Sequence, residues 1–236
     1  GIFTCDERFG EDATAVFNML SGYSEPKSWN KLIVAPIWMK KRFLEMIHRE
    51  TKNAKEGKPA KIIAKCNSLC DRKIILALYE ASCAGVQVDL IVRGICCLVA
   101  GKPGVSENIR VRSIVGTFLE HARIFYFYND GHEEIYMGSA DWMPRNLDRR
   151  VEIVFPVEEE ELKEKAKHIL DVQLSDTLKA HRLLEDGTYQ KVDRRGKEAI
   201  EAQKTFCEEA IAAANESKKK VPKKRTFDPR FSPQEE

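Results

Sequence analysis

The feature that most constrains this chain is a regular alternation of apolar and amphipathic segments between residues 31 and 92. Short apolar runs with the length of a buried strand alternate with longer segments whose apolar residues recur every three or four positions, as on one face of a helix. Asp71 is placed to cap the second helical segment, and a glycine follows the end of each. The order of strand, helix, strand, helix and strand predicts a largely parallel sheet covered by helices. The predicted strands span residues 31–36, 61–66 and 86–92, and the predicted helices span residues 38–55 and 72–84.

Further strands are expected in the second half of the chain. The turn signal Asn129-Asp130-Gly131 lies between two of them and predicts antiparallel pairing there. A helix of about 22 residues is expected from Glu159, because apolar residues line one face of this segment. A last amphipathic helix is expected over residues 197–214. The additional strands are predicted at residues 109–114, 123–128, 135–137 and 151–155.

Composition indicates a globular chain with one substantial core. It has 236 residues, of which 43% are hydrophobic, and a formal net charge of +2. So small a charge does not by itself indicate a polyanionic partner, and we interpret the basic run at residues 218–225 as a solvated tail. No apolar run reaches the roughly 18–20 residues that span a bilayer, and no signal peptide is visible. The chain begins without methionine, so we expect it to be a piece of a longer protein.

Seven cysteines raise the question of a metal site. Cys66 and Cys70 form one close pair, and Cys96 and Cys97 form another. However, adjacent cysteines rarely bind one ion together, and structural zinc takes two suitably spaced ligand pairs. We therefore expect no metal ligands in this chain and reduced thiols in a cytoplasmic protein.

The end of the strand at residues 86–92 carries the first candidate for ligand binding. Arg93 follows this strand directly, Gly94 allows the backbone to approach a ligand closely, and a glycine-rich loop continues the segment. Ligands of open α/β sheets bind beyond the carboxyl ends of the parallel strands, so Arg93 is a candidate phosphate ligand. The neighbouring strand also ends in polar residues that are placed to line the same ligand site: Lys65, Asn67 and Ser68. Strand ends are, however, commonly polar without any function.

The second candidate is His121, which precedes the strand at residues 123–128. A histidine in such a place is often structural, but a Gly-Ser turn at residues 138 and 139 follows one hairpin later, with three arginines within six residues. Guanidinium groups match phosphate oxygens two at a time, so the combination predicts phosphoryl-transfer or phosphodiester chemistry. If Arg149 and Arg150 begin the next strand, they point to opposite faces, and which one faces the site is left open. The remaining arginine is Arg145, and the other histidines, His48, His132, His168 and His181, are interpreted as structural.

Three motifs carry a specific resemblance to a known family. They are residues 91–98 (IVRGICCL), residues 118–123 (FLEHAR) and residues 138–150 (GSADWMPRNLDRR). In this order they resemble the C-terminal catalytic region of the bacterial class-one polyphosphate kinase family. Residues 11–23 and 174–176 also fit, and the likeness covers about residues 1–205.

The resemblance implies both a fold and a division of the chain. That family contains two phospholipase D-like domains, and this chain is similar to the second one. The implied fold is α/β, a phospholipase D-like mixed sheet flanked by helices on both faces. Residues 1–30 would hold the end of the preceding domain and a linker, residues 31–192 the C-terminal catalytic domain, and residues 193–236 a C-terminal helix with a basic, disordered tail.

The phospholipase D signature itself, HxKxxxxD followed by a Gly-Ser turn, is only partly kept. His121 and the turn at Gly138-Ser139 match it. Arg123 stands at the lysine position and Tyr128 at the aspartate position, which weakens a phosphodiesterase interpretation.

The resemblance also implies a mechanism and its partners. A histidine upstream of this segment takes the terminal phosphate of ATP and passes it to inorganic polyphosphate. His121 matches the second essential histidine and Arg93 an ATP-phosphate contact, and Arg123, Arg145 and Arg150 are expected to bind phosphate. Mg²⁺ would accompany ATP with its protein ligands outside this chain. Because the phosphorylated histidine, the metal contacts and a nucleotide-contacting region of the family all match segments before this chain, the chain alone is expected to have little or no kinase activity. The full-length protein is expected to be a homo-oligomer without nucleic acid, in the cytoplasm or peripherally at the inner membrane.

Two other functions stay open at the level of the sequence. One is a phospholipase D-type phosphodiesterase that acts as a homodimer, each chain supplying His121. The other is a polyanion-binding module without catalysis that uses Arg93, Arg145 and Arg150.

Overall fold

A computed structural model describes residues 2–220. Nine strands form one sheet in the order β1-β7-β6-β5-β2-β3-β4-β8-β9. The strands are β1 (Ile33–Val34), β2 (Lys61–Cys66), β3 (Gln87–Val92), β4 (Ile109–Ile114), β5 (Arg123–Phe127), β6 (Glu134–Gly138), β7 (Ile153–Val157), β8 (Ala180–Leu183) and β9 (Tyr189–Lys191). The helices are α1 (Glu7–Leu20), α2 (Met39–Lys55), α3 (Arg72–Cys83), α4 (Pro144–Asp148), α5 (Glu160–Ser175) and α6 (Ala202–Lys220).

The sheet is mixed, as the resemblance implied. The prediction of a largely parallel sheet was wrong, because β1, the first strand of the predicted alternation, lies at the sheet edge and pairs antiparallel with β7. Strands β2, β3 and β4 pair in parallel, and the remaining neighbours pair antiparallel. Helix α3 provides the crossover that two parallel strands need, whereas β5 and β6 are joined by a short turn. In that turn Asn129 and Asp130 adopt left-handed backbone angles, with φ of 47° and 54°, which asparagine and aspartate tolerate better than most residues.

Helices cover both faces of the sheet. On one face, α2 and α3 bury a core around Phe43, Phe125 and Trp142, whose rings lie 4.7–5.5 Å apart. On the other face, α5 packs Leu170 and its neighbours on β5. Each fully buried large apolar side chain contributes on the order of 1.5–3 kcal/mol, so these two layers stabilise the sheet. The predicted α/β architecture with helices on both faces is confirmed.

Local sequence explains where α3 begins. Asp71 caps α3 as predicted: its side chain accepts hydrogen bonds from the backbone N–H groups of Lys73 and Ile74. The chain then turns at Gly85, whose φ of 98° is left-handed, and enters β3.

Helix α1 is fixed to the sheet by a buried carboxylate. Asp12, 3% exposed, accepts the backbone N–H groups of Asn30, Lys31 and Leu32 at 2.6–2.9 Å. Phe9 and Val16 on the same helix pack with Leu32 and Val34. These contacts place α1 beside the end of the sheet where β7 lies.

The region after β7 differs from the sequence prediction. Helix α5 contains 16 residues and ends at Ser175. Asp176 then accepts the backbone N–H groups of Lys179 and Ala180, which turns the chain into β8. The prediction of a longer helix was therefore wrong, and His181 lies on a strand rather than near a helix end.

The last helix begins later than predicted. Helix α6 starts at Ala202 instead of residue 197 and continues to Lys220. Residues 221–225 of the basic run, and the tail that follows them, lie outside the described residues. Within residues 2–220, no helix combines the length and apolar character that a membrane crossing requires.

Candidate active site

A cavity of about 1120 Å³ opens at the carboxyl ends of β2 and β3. All five residues that the sequence singled out for catalysis or phosphate binding line it. They come from different elements, so only the folded chain brings them together. The five are Arg93 after β3, His121 and Arg123 at the start of β5, Arg145 on α4, and Arg150 between α4 and β7.

Parallel pairing of β2 with β3 explains why their ends meet. The backbone N–H of Gly94 donates to the carbonyl oxygen of Asn67 at 2.8 Å. A Cβ atom at Gly94 would lie 2.8 Å from that same oxygen, so glycine is required for this approach. Asn67 and Ser68 line the cavity together with Arg93. Lys65 does not line it; its side chain is 4% exposed and forms an ion pair with Glu120 at 3.2 Å.

His121 is held by a buried ion pair. Arg123 donates through Nε and Nη2 to the two oxygens of Asp141, each at 3.0 Å, and both side chains are 8% exposed. Nη1 of Arg123 donates to the carbonyl oxygen of His121 at 2.9 Å and lies 2.8 Å from its ring Nδ1. Asp141 also accepts the backbone N–H of Asn67 at 2.7 Å. All three nitrogens of Arg123 therefore have protein partners, which gives this residue a positioning role; direct phosphate binding by Arg123 stays a prediction.

The other three arginines of the cavity have no carboxylate partner in the described part of the chain. Among the ion pairs formed within residues 2–220, none involves Arg93, Arg145 or Arg150. Nε of Arg93 is buried and has no hydrogen-bond partner in the part of the chain that is described. Guanidinium groups gathered at one cavity without counter-ions favour an anionic ligand with several oxygens.

The segment before β7 corrects one expectation about these arginines. The strand predicted at residues 151–155 begins at Ile153, so Arg149 and Arg150 do not start it and the alternation considered for them does not apply. Arg150 instead follows α4, and its backbone N–H donates to the carbonyl oxygen of Arg145 at 3.0 Å. That turn brings Arg145 and Arg150 to the cavity, whereas Arg149 does not line it.

Two further polar residues of the cavity, Glu152 and Asn146, were not singled out from the sequence. Glu152, 8% exposed, accepts hydrogen bonds from the side chains of Ser139 and Asn146. The hydroxyl of Ser139 in turn accepts the backbone N–H of Ile153 at 3.2 Å. These bonds hold the Gly-Ser turn against the start of β7. Nothing in the local sequence marks Glu152, because its role depends on partners that folding brings to it.

One wall of the cavity is apolar. It is formed by α1 through Val16, Phe17 and Leu20, with Val151 beside them. Phe17 is 72% exposed, so this wall presents a large apolar surface as well as lining the site.

The buried Cys66 and the partly buried Cys96 have a packing role. Burial raises the pKa of Cys66 to about 12 and that of Cys96 to about 11. Both therefore stay protonated at neutral pH, and a protonated thiol is neither a good nucleophile nor a good metal ligand. Within residues 2–220, no group of three or more histidine, cysteine or acidic side chains is arranged to hold a metal ion.

Taken together, the fold and the cavity define an α/β domain whose cavity presents a histidine and three arginines that form no ion pair within residues 2–220. A sequence profile described as polyphosphate kinase C-terminal domain 2 matches residues 32–203. The chain belongs to the polyphosphate kinase family, which confirms the resemblance seen in its motifs.

Individual relatives agree with this assignment. The polyphosphate kinase of Synechocystis is 52% identical over 217 residues, which cover 92% of this chain and 30% of that protein. The one from Lactiplantibacillus plantarum is 46% identical over 239 residues, covering 100% of this chain and 33% of the relative. The crystal structure of polyphosphate kinase from Porphyromonas gingivalis superposes with a TM-score of 0.85 at 38% identity, over 90% of this chain and 33% of that one. The chain thus spans about a third of the length of the relatives it matches.

Proposed function

We propose that this chain supplies one part of the active site of a kinase that reversibly transfers the terminal phosphate of ATP to inorganic polyphosphate. The observation that carries this function is the convergence of His121 with Arg93, Arg145 and Arg150 on one cavity. Both substrates are polyanions, and family membership supports ATP and polyphosphate as the pair.

The geometry suits catalysis by positioning and charge stabilisation. During phosphoryl transfer, negative charge spreads over the oxygens of the transferred group, and fixed cations at those oxygens lower the barrier. Arg93, Arg145 and Arg150 are available for this, because no carboxylate competes for them among the described ion pairs. Arg123 holds His121 at the cavity surface. There the imidazole of His121 can donate a proton or a hydrogen bond to the leaving phosphate oxygen.

The histidine that carries the phosphoryl group belongs, in this proposal, to the part of the protein upstream of this chain. Magnesium enters with the nucleotide. The acidic residues that line the cavity are already engaged, Asp141 by Arg123 and Glu152 by Ser139 and Asn146. Side chains occupied in this way do not fit a magnesium site of their own, so we assign no Mg²⁺ ligand within residues 2–220.

The decisive test is the substitution His121→Ala in the longest native chain that contains these residues. Loss of a general acid or base costs typically 10²–10⁴-fold, so ATP-dependent polyphosphate synthesis should fall by about that factor. His181→Ala is the matched control, since His181 is exposed on β8 and does not line the cavity. Full activity of the His121 variant would overturn the proposal.

Polyanion binding without catalysis is the second candidate, and the unbalanced arginines favour it. In that case, salt-sensitive polyphosphate binding survives His121→Ala but falls with Arg93→Ala or Arg150→Ala, while synthesis is absent throughout. A third outcome, hydrolysis of a nitrophenyl phosphodiester that depends on His121, would instead indicate a phosphodiesterase.

The cellular compartment and the assembly of the enzyme belong to the same proposal. Seven cysteines, all of them free, suit a reducing compartment, so we infer a cytoplasmic kinase that can lie peripherally at the inner membrane. Assembly into a homo-oligomer, without nucleic acid, belongs to the same inference.

A further inference from the structure

The loop that carries His121 is held by a polar network whose members do not line the cavity. Its centre is Glu120, whose carboxylate pairs with Lys65 of β2 at 3.2 Å and accepts a hydrogen bond from Gln203 of α6 at 2.9 Å. Gln173 of α5 donates to the same carboxylate. Lys65 and Gln173 are almost completely buried. Three separate elements therefore meet at the residue that precedes His121.

The network also holds the backbone on both sides of His121. The side chain of Gln203 accepts the N–H of Phe118 at 2.9 Å and donates to the carbonyl oxygen of the same residue at 2.8 Å. On the other side, Nζ of Lys65 donates to the carbonyl oxygen of Ala122 at 3.4 Å. A loop without secondary structure of its own is thus fixed at residues 118, 120 and 122.

The beginning of α6 is in turn anchored in the domain. Asp176, 1% exposed, accepts the backbone N–H of Ala202 at 2.8 Å. The hydroxyl of Thr177 accepts the backbone N–H of Ile200 at 3.0 Å. Gln203 therefore stands on a fixed support, although it lies 82 positions after His121 in the chain.

We propose that Glu120 and Gln203 are positioning residues for His121, and that the start of α6 is thereby part of the catalytic apparatus. The inference rests on the proposed function of His121. Its physical basis is that a reacting group must be held close to its productive geometry, since a misplacement of about 1 Å can cost roughly 100-fold in rate. Arg123 holds His121 through direct hydrogen bonds, and the network of Glu120 holds the loop on which His121 lies.

The loop offers a way to disturb the network without changing any of its charges. A Cβ atom at Gly116 would lie 2.3 Å from Oε1 of Gln203, so Gly116→Ala displaces that side chain. Gln203→Ala removes the side chain altogether while leaving the Lys65–Glu120 ion pair in place. Both variants keep the arginines of the cavity.

The test uses the longest native chain and compares Gln203→Ala and Gly116→Ala with the control Gln190→Ala, an exposed residue of β9. We expect kcat to fall by roughly 10–100-fold, with the KM for ATP nearly unchanged, because only the geometry of His121 is altered. The control should match the unmodified enzyme. If kcat stays unchanged in both variants while their unfolding midpoints drop, the network is only structural and the inference is wrong.

A second measurement separates this inference from the proposed function. The imidazole C–H signals of the 236-residue chain can be followed by NMR, with the signal of His121 identified by its loss in His121→Ala. Gln203→Ala should shift and broaden the His121 signal and leave that of His181 unchanged. An unchanged His121 signal overturns the positioning role. A shifted signal together with full activity of His121→Ala supports the positioning and contradicts the kinase function instead.

Discussion

At the scale of single residues, the site depends on one buried ion pair. The carboxylate of Asp141 accepts hydrogen bonds from two nitrogens of Arg123 and from the backbone N–H of Asn67. It therefore joins the end of β2 to the start of β5, and through Arg123 it fixes His121. Asp141 thus organises the cavity that it also helps to line.

Replacing Asp141 by asparagine should be strongly destabilising. The substitution leaves the guanidinium of Arg123 buried without a balancing charge, and breaking one partner of such a pair typically costs about 3–5 kcal/mol. The measurement is urea unfolding of the 236-residue chain, read as a change in the midpoint at constant slope.

The comparison variant for Asp141→Asn is Lys165→Met, which removes an ion pair with Glu161 whose side chains are 65% and 72% exposed. Solvent screens such an exposed ion pair, so the urea midpoint of Lys165→Met should equal that of the unmodified chain. Equal midpoints for the two variants would mean that Asp141 does not organise the site.

Residues that act through their own chemistry could be recognised from the sequence. Arg93 directly follows a predicted strand, and His121 precedes one and is followed by arginines. These positions in the sequence are enough to mark both as candidate site residues. Glu152, Asn146 and Glu120 are different, because their polar groups matter only through contacts made across the fold. Glu120 and Asn146 stand inside the motifs that resemble the family, but the sequence does not show which residues they contact.

At the scale of secondary structure elements, β6 and β7 approach each other closely at Gly138. A Cβ atom at Gly138 would lie 2.3 Å from the carbonyl oxygen of Ile153 and 2.8 Å from Cα of Val154. Both are backbone atoms, which cannot rotate away. Glycine at this position therefore permits the pairing that presents Ser139 to Glu152.

Gly138→Ala should accordingly destabilise the chain by about 1–3 kcal/mol, the usual range for overpacking a well-filled site. The opposite sign is expected for Gly10→Ala on α1, because a methyl group there meets nothing within 4 Å and alanine favours a helix by about 0.5–1 kcal/mol. Unfolding midpoints of both variants measure the difference. A stabilising Gly138→Ala would show that β6 and β7 have room to separate.

The elements themselves were predictable where one local pattern decides them. The central strands and α2 and α3 lie within a few residues of their predicted places, since buried strands and amphipathic helices have distinct periodicities. The end of α5 and strands β8 and β9 were missed. There the side chain of Asp176 ends the helix by binding backbone N–H groups, and the apolar pattern of the segment does not show this competition.

At the scale of the whole molecule, the sequence motifs identified the family, while the geometry of the site had to come from the fold. The cavity joins α1, two strand ends, the loop before β5 and α4. These segments lie far apart in the chain. Their meeting follows from the strand order, in which β5 lies beside β2 although β3 and β4 come between them in sequence.

The same geometry predicts how the 236 residues behave alone. The chain spans about a third of its relatives' length, and in the proposed function the phosphorylated histidine lies in the remainder. The arginines of the cavity are nevertheless in place. We therefore expect the isolated chain to bind polyphosphate without steady polyphosphate synthesis from ATP.

Binding by these arginines should be electrostatic and therefore salt-dependent. Each phosphate contact releases counter-ions, so removing one arginine should lower the slope of log affinity against log salt by about one. Titration of fluorescent polyphosphate at several salt concentrations tests this for Arg93→Ala and Arg150→Ala. Arg195→Ala is the control, since Arg195 is exposed and already pairs with Asp193. Equal slopes for all three variants would mean that Arg93 and Arg150 do not bind polyphosphate. Steady polyphosphate synthesis by the isolated chain would mean that it does not need the rest of the kinase.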